Sequence, residues 1–281
     1  MLISIAGASS SGKSTLLNGF ISIFGQDNVA YIDMDGYHFH TRQKRIEINQ
    51  YPDEFEANDF TRLISHLEVL ESGKSIIMPT YDHTQGTFGD SILIVPKKFI
   101  FIEGLHANYL NSFSGKDLIK FSIFVNPEED LRRSWKVKRD VSKRGYSYSD
   151  AIQQIYKREE YEKKYIFPQV SISDSVMNIE RVVKISSTKT SLLITDKMQK
   201  TIKNIIKDFS KISVEFIERS MCGYVMYEIC FVNDDNIGLA LNELLVQIYH
   251  RDVRVPYYTK GNYSYNKAVN SLALLISMLS L

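Results

Sequence analysis

Apolar residues fall along this chain in short unbroken runs that alternate with stretches of helical spacing. Leu2–Ala6 is an apolar run that stops at a glycine, the pattern of a strand buried on both faces. Gly7–Ser14 follows, and Leu16, Leu17, Phe20 and Ile21 then recur at helical spacing. Val29–Ile32 predicts a second short strand. Residues 36–59 are polar, aromatic and basic, a long connection of the kind that carries function. Asn58 or Asp59 is placed to cap a helix running through Leu63, Ile64, Leu67, Val69 and Leu70 to a glycine stop at Gly73. Ser75–Met78 and Ile92–Val95 predict strands around a loop, Phe99–Ile102 a central strand, and Phe121–Val125 another. Charged helices are predicted over about Glu128–Lys143 and Ser149–Lys164. Strands alternating with helices imply parallel crossover units and a doubly wound α/β sheet.

A Ser/Thr/Lys cluster at Ser186–Thr190 interrupts this alternation and sets an expected boundary, dividing the chain into 1–186 and 187–281. The second part predicts a small α/β extension. Its elements are a helix near Lys197–Phe209, strands near Val214 and Tyr224–Phe231, a helix near Ile237–Tyr249 and a packed terminal helix over Leu272–Leu281.

Composition narrows the class. The chain has 281 residues, is 44% hydrophobic and 24% charged, and carries 34 Lys+Arg against 33 Asp+Glu, a formal +1. That balance argues against a general nucleic-acid or anionic-membrane binder. No apolar run approaches the ~20 residues of a membrane helix, and the N-terminus has no basic flank or cleavage site, so a cytoplasmic protein is expected. Two cysteines, Cys222 and Cys230, make neither a disulfide scaffold nor a four-cysteine zinc site and read as buried thiols.

Gly7-Ala8-Ser9-Ser10-Ser11-Gly12-Lys13-Ser14 matches G-x-x-x-x-G-K-[ST] between a predicted strand and a predicted helix. Glycines let backbone N–H groups turn inward, and the helix N-terminus adds positive potential where a phosphate would sit. Gly7, Ser9, Ser10, Ser11, Gly12, Lys13, Ser14 and Thr15 are therefore the candidate ATP-binding set, with Lys13 on the β/γ-phosphates and the Ser14 hydroxyl on Mg²⁺. The expected fold is a P-loop NTPase-type α/β protein with a doubly wound, mostly parallel sheet. Guanine-reading Thr-Lys-x-Asp or Asn-Lys-x-Asp runs are absent. Asp33 and Asp35 would lie at the C-terminal end of the second strand, beside the P-loop, and Asp35 is the candidate base for an attacking hydroxyl. Glu103 ends a buried strand and suits the metal or its water. Arg132, Arg133, Lys136, Lys138, Arg139, Lys143 and Arg144 form a basic cluster, with Arg132, Lys136, Arg139 and Lys143 predicted on one helix face. That face is either solvated or a lid that binds phosphate. His38, His40 and His83 lack the tight paired spacing of a zinc site.

Lys136-Val137-Lys138-Arg139-Asp140, then three residues, then Arg144-Gly145-Tyr146-Ser147 resembles the signature of the phosphoribulokinase/uridine kinase family. The last element departs, with Asp150 following Ser149 where the family pattern has glutamate. Further segments agree in order: Asp35-Gly36-Tyr37-His38 with Arg42, Pro79–His83, Ile102–His106 and Tyr165–Gln169. The resemblance covers roughly residues 1–180. It implies ATP- and Mg²⁺-dependent phosphorylation of a small hydroxylated molecule, with ribulose 5-phosphate the expected acceptor and a homodimer the expected assembly. It assigns Asp35 as base and Glu103 as metal-side carboxylate. It places His38, Arg42, Tyr81 and His83 in the acceptor site, Lys136, Arg139 and Arg144 on substrate phosphate and developing charge, and Asp140 as the residue that orients the arginines. Plant-type members carry regulatory cysteines where this chain has Ser11 and Asp33, and a second aspartate where it has Gly36. Uridine kinases carry a histidine where Gly86 stands. Uridine, cytidine, glycerate or another sugar phosphate remains an alternative acceptor, and a nucleotide-binding regulator without transfer is the alternative of another class.

Overall fold

The computed structural model describes residues 1–182, 187–206, 213–221 and 223–232 and, near the C-terminus, 269–273, 275, 276 and 279. The helix expected near Ile237–Tyr249, Cys222 and the side chain of Cys230 lie outside the described residues. The described strands are β1 (Leu2–Ala6), β2 (Val29–Asp33), β3 (Ile76–Asp82), β4 (Thr87–Ile94), β5 (Phe99–Gly104), β6 (Ile119–Pro127), β7 (Ser175–Val182), β8 (Ser187–Ile194), β9 (Ser213–Met221) and β10 (Tyr224–Val232). The described helices are α1 (Lys13–Phe24), α2 (Arg42–Glu47), α3 (Phe60–Glu71), α4 (Leu110–Ser114), α5 (Glu129–Arg144), α6 (Tyr148–Tyr161) and α7 (Asp196–Ile206).

Eight strands form one sheet in the order β2-β5-β1-β6-β7-β8-β10-β9. Its first five strands run parallel, and β8, β10 and β9 add antiparallel to that edge. The mostly parallel α/β class predicted from the alternation is the class observed. Both faces are covered, which is why the strands read as unbroken apolar runs. Ile3, Ile5, Phe99, Phe101, Phe121 and Ile123 face α1, whose Phe20 stacks on Phe101 at 4.9 Å between ring centroids. Leu2, Ala6, Ile32, Ile100 and Ile102 face the opposite way, onto Leu63, Leu67 and Leu70 of α3. The Asp59 side chain caps α3 by accepting from the Arg62 N–H, and Gly73 follows its end at φ +81°, a left-handed turn that glycine takes without strain.

The hairpin β3–β4 stands outside the main sheet. The long polar connection holds a 3₁₀ turn at Met34–Tyr37, the short α2 and a second 3₁₀ turn at Phe55–Ala57. Strands β7 and β8 have no counterpart in the sequence analysis. The polar run at Ser187–Ser191 reads as linker, yet Ser187 opens a strand that pairs with Val182. The sheet thus runs on through the expected boundary. Residues 269–273, 275, 276 and 279 are helical, and Val269, Leu272, Ala273, Leu275 and Ile276 are buried in the α1-side core. A Cβ at Gly19 of α1 would lie 2.8 Å from Val269 Cγ1, so the two segments approach closely there. No helix among the described residues is long and apolar enough to cross a membrane.

Leu272 is fully buried in that core. Leu272→Ala should cost about 2–5 kcal/mol of unfolding free energy by chemical denaturation, the range for a leucine removed from a packed interior. A change below about 0.5 kcal/mol would place this segment outside the cooperative core.

Candidate active site

The parallel register sets the site. Ala6 pairs with Gly104, Ile5 with Glu103, and Glu103 in turn with Asp33, so β1, β5 and β2 end in one row. The loop after β1 turns sharply over that row. A Cβ at Gly7 would meet Ser11 Oγ and the Val125 carbonyl at 2.7 Å, and Ser10 and Gly12 take φ of +65° and +102°. These turns aim the loop around the start of α1, which has no side-chain cap. The Ser10 and Ser11 hydroxyls are buried without a hydrogen-bond partner. An uncapped helix N-terminus ringed by buried hydroxyls is what a phosphate satisfies, so the residues present fit a nucleotide's phosphates. Lys13 donates from Nζ to the Gly7 and Ala8 carbonyls at 2.9 and 3.1 Å, and burial lowers its pKa. Ser14 and Thr15 are exposed at the mouth. Ser14 Oγ donates to Glu103 Oε1 at 2.9 Å, which brings together two hard oxygens suited to Mg²⁺. Burial raises the pKa of Glu103, with Lys13 and Ser14 opposing, and it pushes Asp33 up to about 7 with the adjacent Asp35 charge in support.

Asp33 ends β2 and accepts the Asp35 N–H on Oδ1 at 2.9 Å, starting the turn that carries the candidate base. Asp35 is 29% exposed; its Oδ2 meets His83 Nε2 at 3.0 Å and its Oδ1 lies 3.6 Å from His38 Nε2. Burial alone would raise its pKa, but the His83 hydrogen bond, with the Lys13 charge nearby, holds it below the usual carboxylate range. Tyr81 stands edge-on to both histidines, with centroids 5.6 and 5.3 Å away. Its hydroxyl donates to the Gly86 carbonyl at 2.8 Å and accepts from Arg45 at 3.1 Å, so Tyr81 braces the site from behind. Arg42 donates to the His83 carbonyl and packs against Gly86, where a Cβ would lie 2.9 Å from Arg42 Cβ. Gly36 likewise leaves no room for a side chain, since a Cβ there would lie 2.0 Å from the Pro79 carbonyl.

Helix α5 crosses over the phosphate loop. Arg132 and Arg139 reach the carbonyl and hydroxyl of Ser9 at 3.3 and 3.1 Å. Asp140 gathers Lys136 at 2.9 Å, Arg139 at 2.8 Å and Arg144 at 3.6 Å. Arg144 also lies within electrostatic reach of Asp35 and Arg42. The inward set therefore differs from the predicted stripe. Lys143 is exposed, as is Lys138, while Arg144 turns back from the helix end to Asp140. Arg133 pairs outward with Glu129 and Glu159, while the His40 carbonyl accepts from Arg45 and its ring lies against Phe39.

Several residues here carried no role in the sequence. Glu162 holds Arg132 bidentately, at 3.1 and 2.6 Å. Arg158 grips the fully buried Asp53 at 2.6 and 2.8 Å, tying α6 to the 36–59 connection. Those partners are 30 and 105 residues apart, beyond any local spacing rule. His106 is 1% exposed amid Phe55, Phe60 and Tyr109.

Known proteins resemble this chain in sequence and in fold. A family model described as Phosphoribulokinase / Uridine kinase family matches residues 2–186. The phosphoribulokinase of Synechocystis sp. is 32% identical over 200 residues, covering 71% of this chain and 60% of that protein. The chloroplastic phosphoribulokinase of Spinacia oleracea is 29% identical over 196 residues, covering 64% and 48%. The uridine kinase of Serratia proteamaculans is 34% identical over 166 residues, covering 56% and 76%. The chain thus spans about half to six-tenths of the length of the Synechocystis and Spinacia phosphoribulokinases. Among solved structures, a phosphoribulokinase from Rhodobacter spheroides shares the fold at TM-score 0.58 and 21% identity, covering 90% of this chain and 97% of that one.

Burial pushes His106 down to about 4, against the pull of Asp53 and the Pro52 carbonyl, whereas an unfolded histidine titrates near ~6.5. Between those values the unfolded chain binds a proton that the native chain refuses, so stability falls as pH drops through that window. His38, also pushed down to about 4 by burial, adds in the same sense, and Asp33 at about 7 opposes. His106→Gln should therefore flatten the acid limb of stability against pH by up to ~1.4 kcal/mol per pH unit. Parallel curves for the two proteins would contradict a neutral buried His106.

Proposed function

The chain belongs to the phosphoribulokinase/uridine kinase family, and from that premise we propose that it transfers the γ-phosphoryl group of ATP to a hydroxyl of a sugar phosphate, ribulose 5-phosphate being the expected acceptor. The observation that carries this reading is the placing of one carboxylate, Asp35, between a phosphate cradle and a surplus of cations. Lys13 lies on the cradle side, and Arg42, Arg139 and Arg144 lie on the other, with Asp140 the shared counter-ion of Arg139 and Arg144. An acceptor that brings its own phosphate supplies the missing negative charge; an uncharged nucleoside does not. The Arg42 side chain also fills the space a side chain at position 86 would need, which favours an anion there over a base-reading histidine.

In this reading the loop amides, Lys13 and the Ser10 and Ser11 hydroxyls hold the nucleotide phosphates, while Ser14 and Glu103 hold Mg²⁺, whose charge offsets that of the phosphates. Asp35 orients the acceptor hydroxyl and takes its proton. A carboxylate held below its usual pKa suits that task. In a loose phosphoryl-transfer transition state the nucleophile is little deprotonated until bonding has begun, so an ionised, correctly aimed acceptor matters more than basicity. His83 fixes Oδ2 of Asp35 and leaves Oδ1 to the cleft.

ADP release from Mg·ATP with ribulose 5-phosphate, ribose 5-phosphate, uridine, cytidine and glycerate tests the assignment. Turnover should be fastest with ribulose 5-phosphate, and Asp35→Asn should lose on the order of 10²–10⁴-fold in kcat while still binding ATP. Preference for uridine or glycerate would replace the acceptor, and full turnover by Asp35→Asn would remove the base. Arg139→Ala and Arg144→Ala should lower kcat/KM for the acceptor with little change in KM for ATP. A loss confined to ATP would assign both arginines to the nucleotide.

A further inference from the structure

Asn58 enters the sequence only as one of two candidate helix caps, and Asp59 takes that role. The Asn58 amide does something else. Its Nδ2 donates to the carbonyls of Pro52 and Glu54 at 3.2 and 2.8 Å, which uses both amide hydrogens. Its Oδ1 must then face His38 Nδ1, 2.9 Å away. An amide oxygen accepts only, so the proton of that bond resides on Nδ1.

The frame around this contact is built. Phe39 N–H donates to the Ala57 carbonyl at 3.0 Å and Asp59 N–H to the Tyr37 carbonyl at 2.7 Å, pairing the two backbone segments on either side of His38 and Asn58. Pro52 and Glu54, which anchor the amide, flank Asp53, the residue gripped by Arg158. His38 and Asn58 are each 7% exposed.

The groups facing the His38 imidazole are Asp35, Arg45, His83, Asn58 and the Tyr81 ring. Burial outweighs the attraction of Asp35, and Arg45 and His83 add to burial, so the ring is neutral near pH 7. A neutral imidazole has one N–H, and Asn58 takes it. Nε2 is left as a bare electron pair, 3.6 Å from Asp35 Oδ1, beyond hydrogen-bond length. Asp35 spends Oδ2 on His83. The cleft therefore presents two hydrogen-bond acceptors side by side, one a carboxylate oxygen and one an imidazole nitrogen.

We propose that Asn58 is a positioning residue that keeps the His38 proton on Nδ1, so that Nε2 accepts a hydrogen bond from a hydroxyl of the phosphoryl acceptor beside the one held by Asp35. The kinetic part rests on the kinase reading above; the tautomer does not. The acceptor class this favours is a polyol with a second hydroxyl close to the one that is phosphorylated. Without Asn58 the ring is free to carry its proton on Nε2, where it would donate to Asp35 and close the site to that hydroxyl.

Nitrogen NMR of the protein labelled in its six histidines, at pH 7, reads the tautomer directly, with His38→Asn identifying the signal. The expected spectrum has Nδ1 protonated and Nε2 bare, turning to a mixture of tautomers in Asn58→Ala. An Nε2-protonated or doubly protonated ring in the unsubstituted protein would overturn the proposal, and so would a spectrum unchanged by Asn58→Ala. For whichever acceptor is turned over, Asn58→Ala should lower kcat/KM by about tenfold with KM for ATP unchanged, the loss typical of one well-placed hydrogen bond. In a His38→Asn background the same substitution should cost nothing further. Equal losses in both backgrounds would show that Asn58 acts other than through His38. Silence with every acceptor would sink the kinase reading while the spectrum still decides the tautomer.

Discussion

The register of three parallel strands is the constraint on which the rest depends. Because Ile5, Glu103 and Asp33 pair across β1, β5 and β2, the phosphate loop, a candidate metal-side carboxylate and the turn carrying Asp35 leave the sheet side by side. Parallel strands joined by crossovers place such ends together at the point where the chain order reverses, and β1 sits there, between β5 and β6. A shift of one residue in β5 would turn Glu103 to the opposite face and bring an isoleucine or a glycine into its place. What prevents it is the core beneath, where Phe99 and Phe101 fit against Phe24 and Phe20 on one face while Ile100 and Ile102 meet α3 on the other. The proposed phosphate chemistry would thus be anchored by aromatic packing further along the same strands.

Much of this is legible from residue order. The G-x-x-x-x-G-K-[ST] loop lies between a strand and a helix as the pattern requires, and Asp35, Glu103 and Arg139 come together near it. The α3 cap, its glycine stop and the doubly covered parallel strands are each local or periodic signals. Other features are not local. Strands β7 and β8 lie inside the sheet, yet β7 mixes polar and apolar residues without a strict period and β8 opens on the five polar residues Ser187–Ser191, which read equally well as linker. The pairs Arg132–Glu162 and Arg158–Asp53 join segments that no spacing rule connects. Lys143 falls on the predicted helical stripe but points to solvent, because α5 ends at Gly145 (φ +72°) and Arg144 folds back to Asp140 in its place.

Asn58 and Tyr81 show a further limit. In each case the residue type is visible and its work is not. The Tyr81 hydroxyl is spent on Gly86 and Arg45, so what it would contribute to the proposed acceptor side is to hold two histidine rings at fixed angles. Asn58 sits next to the true cap and looks like one. Only the three-dimensional positions of the Pro52 and Glu54 carbonyls settle which way its amide turns.

The ion pairs of α5 divide into two kinds, and the division fits the proposed reaction. Lys136 and Asp140 are each almost wholly buried, with side chains 3% and 4% exposed, whereas Arg139 and Arg144 are 26% and 20% exposed. A buried carboxylate stripped of every partner is strongly destabilising, so Asp140 cannot release all three cations to an arriving phosphate. It does not need to. Lys136 is pushed down to about 8 by burial and the neighbouring Arg158, yet it remains mostly charged near neutral pH and stays within hydrogen-bond reach of Asp140. That leaves the two arginines, which reach the cleft and carry the planar donor set that matches a phosphate, free to exchange Asp140 for substrate. In the proposed reaction the cation that stays would balance the carboxylate, and the cations that move would meet the charge that enters.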